Sequence, residues 1–150
     1  MFEPMHANPG PDATTEGHKQ RIRDYWEAAW NRGEVSAVDA ILAPGYVRYS
    51  SEPELRDLEY VKDSIRSVRA AFPDLRTTID DIIAEGDKVV TRWSAAGTQL
   101  GEFMGFPATG NRAVTAGVVI SRFADDRIVE EWATWNALDL LRDLGVIKIV

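Results

Sequence analysis

The sequence predicts an α+β fold, and three observations carry that reading. Apolar residues recur at helical spacing through most of the first half. The second half instead alternates apolar and polar residues in long runs, and turn residues such as Glu85-Gly-Asp87 separate those runs. A period of 3.6 marks one face of a helix, and a period of two marks a half-buried strand. Helices first and strands after them predict helices covering one face of a mainly antiparallel sheet.

The elements follow in order. Residues 1–15 hold three prolines and a glycine with no hydrophobic period, and read as a flexible tail ahead of a single domain over 16–150. Ile22, Tyr25, Trp26, Ala29 and Trp30 form one apolar stripe and predict a helix over 16–31, capped by Thr14 or Thr15 and followed by Gly33. A short helix over 35–42 is closed by Ala43-Pro-Gly45, and the aromatic and β-branched run 46–50 reads as a strand. Val61, Ile65 and Val68 line one face of a helix over 58–71 that Pro73 ends. Strands are predicted over 76–85, 88–100, 113–124 and 128–135, paired by turns at 85–87 and 125–127. A last helix over 137–144 stops at Gly145.

Composition excludes several functions. A net charge of −7 argues against a nucleic-acid binder and against adhesion to anionic membranes. The chain has no cysteine, so disulfides and thiolate metal sites are ruled out. A cysteine-free chain with no secretory signal pattern and no long apolar run suits the cytoplasm. Its two histidines, His6 and His18, fall in the tail and at the start of the first helix, so no metal site is expected. Gly101-x-x-x-Gly105 lacks the Lys-Ser/Thr ending of a phosphate-binding loop.

The order of segments resembles the SnoaL-like polyketide cyclase family of the NTF2-like superfamily. The resemblance spans residues 17–145 and rests most on Gly101-Glu-Phe-Met-Gly-Phe-Pro-Ala-Thr-Gly110 and Leu141-Arg-Asp-Leu-Gly145. It implies a cone: a curved sheet wrapped around a pocket, with about three N-terminal helices. It also implies cofactor-free chemistry on a small apolar or aromatic carbonyl compound of secondary metabolism, in a homodimer. An acidic residue late in the last strand moves a proton beside a carbonyl in the family's cyclases, which requires a suitably tuned carboxylate and a donor for the enolate. The matching position here is Asn136, whose amide cannot take that proton. Relatives often carry histidine where this chain has Tyr49 and Gln99.

Strand alternation groups Ile128, Glu130, Trp132, Thr134 and Asn136 on one face and Val129, Glu131, Ala133 and Trp135 on the other. The resemblance turns the Trp132 and Asn136 face into the cone. The expected catalytic set is therefore Asn136, Glu130, Arg92 and Tyr49. The expected wall is Tyr25, Trp30, Trp93, Gln99, Phe103, Met104, Phe106 and Trp132, residues that either fill the core or contact a flat ligand. One of Asp80 and Asp81 can face inward, and Arg92 either pairs with a neighbouring strand or stabilises an enolate. A paired-aspartate arrangement like that of an epoxide-hydrolase-like relative is not reproduced, since Ser94 stands two residues beyond Arg92. The readings left open are a cyclase or isomerase, an oxygen-dependent hydroxylase, and a non-catalytic carrier.

Overall fold

The computed structural model describes residues 13–50 and 54–148. The predicted tail, with His6, lies outside these residues except for its last three. The helices are α1 (Ala13–Tyr25), α2 (Ala37–Ile41), α3 (Leu58–Ala71) and α4 (Ala137–Asp143), and the strands are β1 (Leu42–Tyr49), β2 (Arg76–Glu85), β3 (Lys88–Thr98), β4 (Arg112–Ala124) and β5 (Arg127–Trp135). The strands make one curved, open sheet in the order β1-β5-β4-β3-β2. β1 runs parallel to β5, and all other pairs are antiparallel. The α+β expectation holds, with three helices ahead of the β2–β5 run.

The first helix is not α-helical throughout. Trp26–Asn31 forms a π-helical segment continuous with α1. Such wide turns are uncommon and are frequent at functional sites. Two anchors hold this one. Asn31 accepts from the Thr77 backbone N–H at 2.7 Å and from its hydroxyl at 2.9 Å, which ties the segment to β2. Arg69 of α3 donates to the carbonyls of Trp30 and Asn31, groups that a helix end leaves unpaired. Gly33 (φ +73°) turns the chain away, and a Cβ there would meet the Arg69 side chain at 2.7 Å.

The core lies between these helices and the concave sheet face. Ile22, Val38, Leu42, Val61, Ile65 and Ile128 are all buried there. The inward face of β4 is Ala113, Thr115, Gly117, Val119, Ser121 and Phe123. Gly117 pairs with Trp93 of β3, and a Cβ on it would fall 2.6 Å from the Trp93 ring. The glycine thus leaves the volume that the indole fills.

The facing of β5 departs from simple alternation. Arg122 pairs with Glu130 but Phe123 pairs with Ile128, so Val129 is an extra residue in β5. A bulge of this kind shifts the side-chain phase along one strand. Ile128 points inward before it, and Glu131, Ala133 and Trp135 point inward after it. The expectation that Trp132 and Asn136 look into the cone is corrected for this reason.

Candidate functional site

A cavity of about 640 Å³ opens between the concave sheet face, α1 with its π segment, α3 and the 101–106 loop. That size lies within the range of small-molecule pockets. Five expected wall residues do line it: Tyr25, Trp30, Trp93, Phe103 and Met104. Trp26 and Trp135 add two more indoles, and Val68, Phe72 and Val119 add aliphatic and aromatic surface. The wall is therefore mostly apolar and suits a flat ligand.

The floor is polar, and its main residues were not among those expected from the sequence. Glu131 is 5% exposed. Tyr46 donates to its Oε1 at 2.6 Å, and Ser121 donates to its Oε2 at 2.5 Å. Arg48 Nη2 lies 3.7 Å from Oε1. Both Arg48 and Glu131 line the cavity. They sit opposite each other in the parallel β1–β5 register, which places two distant charges side by side. Burial first, then the Glu131 charge, push the Tyr25 and Tyr46 hydroxyls well above the ordinary tyrosine range. Both remain protonated donors near neutral pH. Burial opposes the Arg48 charge, but the Glu131 carboxylate beside it favours that charge, and the net shift is upward.

The remaining expected residues lie off the cavity. Glu130 pairs with Arg122 at 2.5 Å on the outer face. Arg92 is bound to Asp81 at 2.6 Å and reaches Asp80 at 4.0 Å, so both aspartates face outward with it. Tyr49 stacks on Trp132 at 5.6 Å, and Lys88 sits over the same indole. Trp132 is 37% exposed. Asn136 caps α4: its Oδ1 accepts from the Asp139 N–H at 3.0 Å and its Nδ2 donates to the Asp139 carboxylate.

Gln99 and Phe106 shape the cavity from behind. Gln99 is fully buried. Its Nε2 donates to the Phe106 carbonyl, and its Oε1 accepts from the Thr109 N–H and hydroxyl. Phe103 and Phe106 exchange backbone hydrogen bonds, and Met104 (φ +52°) and Gly105 (φ +80°) turn the loop between them. Gln99 thereby holds the loop that carries Phe103 and Met104 over the cavity. One signal in the sequence pointed at Glu131. The doublet Glu130-Glu131 sits mid-strand, so alternation must send one carboxylate to the concave face.

Among the described residues no group of three or more acidic or histidine side chains is placed to hold a metal, and no helix is long and apolar enough to cross a membrane.

An open curved sheet with helices over its concave face and a small-molecule cavity beneath them defines a class of ligand-enclosing cone proteins. The family model for SnoaL-like polyketide cyclases matches residues 20–144, and the chain belongs to that family. It is similar to AclR from Streptomyces galilaeus, described as a candidate hydroxylase, with 33% identity and a TM-score of 0.80 over 89% of this chain and 98% of that one. TsrD from Streptomyces laurentii is 32% identical, with a TM-score of 0.77 over 87% and 96% of the two chains. IdmH from Streptomyces antibioticus, described as a candidate polyketide cyclase, is 31% identical, with a TM-score of 0.74 over 85% and 98%. No curated protein sequence matches the chain.

Proposed function

We propose that the protein is a cofactor-independent cyclase or isomerase of secondary metabolism, acting on a polyketide-like or polycyclic carbonyl compound in the cavity. The observation that carries this reading is the floor itself: Arg48 and Tyr25 line a mostly apolar chamber beside a buried carboxylate, Glu131.

In this reading Arg48 and Tyr25 donate to a ketone oxygen and stabilise the charge that grows there when a neighbouring C–H bond breaks. Glu131 takes the proton. A carboxylate has about four acceptor sites, so the hydrogen bonds from Tyr46 and Ser121 leave room for it. The enolate carbon then bonds to a second carbonyl, or is reprotonated elsewhere in an isomerisation. The proton returns from Glu131 to the new alkoxide or carbon, so no co-reactant is consumed. The aromatic wall contributes by holding the chain folded for attack. The family's usual acid position, here Asn136, is left with a capping role.

The test is deuterium exchange. The protein is incubated in D₂O with a bicyclic β-keto ester, and loss of the α-proton is followed by NMR. Exchange at least 100-fold above buffer is expected, lost in Tyr25→Phe and Glu131→Gln variants shown to be folded. Tight binding without exchange would leave a carrier and reject catalysis. A second reading is oxygen-dependent hydroxylation, favoured by the likeness to AclR; dioxygen uptake on adding a ligand would select it. The proposal also includes a cytoplasmic homodimer formed through the outer sheet face, where Ile83, Val114 and Trp132 are exposed. A solution mass near the 16.7 kDa of one chain would reject the dimer.

A further inference from the structure

The cavity floor is a row across three strands. In the sheet register Arg48 of β1 lies opposite Glu131 of β5, and Glu131 lies opposite Ser121 of β4. Ser121 donates to Glu131 Oε2 at 2.5 Å, and Tyr46 of β1 donates to Oε1 at 2.6 Å. Both hydroxyl residues are buried and neither lines the cavity, whereas Glu131 does. The two hydroxyls therefore reach the carboxylate from the protein side. Hydrogen bonds to a charged acceptor are shorter and stronger than neutral ones, so two of them hold the group firmly.

The two oxygens are not held alike. Oε1 has Tyr46 and, at 3.7 Å, the Arg48 guanidinium; Oε2 has Ser121. Without the Tyr46 hydroxyl, the attraction of Arg48 still keeps Oε1 in place. Without the Ser121 hydroxyl, the Oε2 end loses its hydrogen bond, and the last torsion of a glutamate has no sharp minimum of its own. A carboxylate has about four acceptor sites, so one hydroxyl on each oxygen leaves the others for a proton. We infer that Ser121 is a positioning residue for the proton transfer: from behind the cavity it fixes the orientation of the Glu131 carboxylate, touching neither the ligand nor the reacting atoms. The inference rests on the reading of Glu131 as the proton acceptor, and it adds the group that aims it.

Exchange of a bicyclic β-keto ester, methyl 1-tetralone-2-carboxylate, in D₂O tests it, with the saturated rate and KM read separately on the full chain. In each cycle the α-proton passes to Glu131, exchanges with solvent and returns to carbon as deuterium. Ser121→Ala removes the hydroxyl without adding bulk. It should lower the saturated rate about tenfold or more and leave KM within about twofold, because a misplaced reacting group costs rate rather than binding. Tyr46→Phe should lose less, about threefold, since Arg48 still holds Oε1. Ser121→Thr and Ser121→Val add the same bulk and differ in the hydroxyl alone, so the threonine variant should exchange about tenfold faster than the valine one. Thermal melts report folding; should the two bulkier variants not fold, the order of Ser121→Ala and Tyr46→Phe decides. An unchanged rate in Ser121→Ala, a loss carried by KM alone, equal rates in folded threonine and valine variants, or a larger loss in Tyr46→Phe would each overturn the inference and leave the catalytic reading standing. Wild-type protein that binds the ester without exchanging it would reject that reading and the inference together, a result distinct from all of these.

Discussion

Replacing Glu131 by glutamine should be among the most damaging conservative changes in this fold. The side chain is 5% exposed, accepts from two hydroxyls and lies 3.7 Å from the Arg48 guanidinium. At an effective dielectric of 20, opposite charges at that spacing attract by about 4–5 kcal/mol. Removing one partner of a buried pair typically costs about 3–5 kcal/mol, because the other charge is left uncompensated. The Arg48 side chain is 20% exposed, on the cavity side, which places the loss at the lower end, about 3 kcal/mol. For a chain of 150 residues that loss corresponds to a fall in Tm of about 10 °C. Urea unfolding followed by circular dichroism should show a lower midpoint at an unchanged slope. Adding Arg48→Met to Glu131→Gln should recover part of the loss, since the orphan charge is then gone. A loss under about 1 kcal/mol, the range of exposed ion pairs, would show that Glu131 is solvated and would refute the description of the floor.

Three further outcomes follow from the same geometry. Gln99→Ala removes three side-chain hydrogen bonds that hold the 101–110 loop, and should cost about 2–3 kcal/mol while raising amide exchange across that loop. Gly117→Ala would set a Cβ 2.6 Å from the Trp93 ring and from the Thr134 carbonyl oxygen; it should cost about 1–3 kcal/mol and weaken ligand binding by displacing the indole into the cavity. Tyr25 and Tyr46 both have folded pKa values raised above the unfolded value, so their contribution is fully present below about pH 10 and is lost as pH rises beyond it, at up to ~1.4 kcal/mol per pH unit for each tyrosine. Urea midpoints measured between pH 9 and 11 should fall accordingly, with a shallower fall in Tyr25→Phe.

Much of the fold is legible in the sequence because local signals agree with the tertiary outcome. Gly86 (φ +59°) sets the β2–β3 hairpin, and the Val61, Ile65 and Val68 stripe with Pro73 bounds α3. β1 begins earlier than expected. Pro44 and Gly45 read as a break, yet β1 is an edge strand, where a missing N–H is tolerated, and its register is irregular between Leu42 and Val47. The π segment is invisible to periodicity, since its apolar residues fall at spacings an α-helix also uses. The aromatic wall was readable from Tyr25, Trp30 and Trp93, because large rings on helix and strand faces belong inside. The floor was not. Arg48 and Glu131 look like surface charges until the parallel β1–β5 pairing joins them, and the extra residue at Val129 turns Trp132 and Asn136 away.

The central expectation is that the ligand binds in the concave cavity rather than on the outer face. A crystal structure of the protein with a flat tricyclic ketone tests this most directly. Ring density is expected among Trp26, Trp30 and Trp93, with the ketone oxygen within hydrogen-bonding distance of Arg48 or Tyr25. A ligand seated instead on the outer face against Trp132 and Tyr49, with the cavity unchanged, would contradict it.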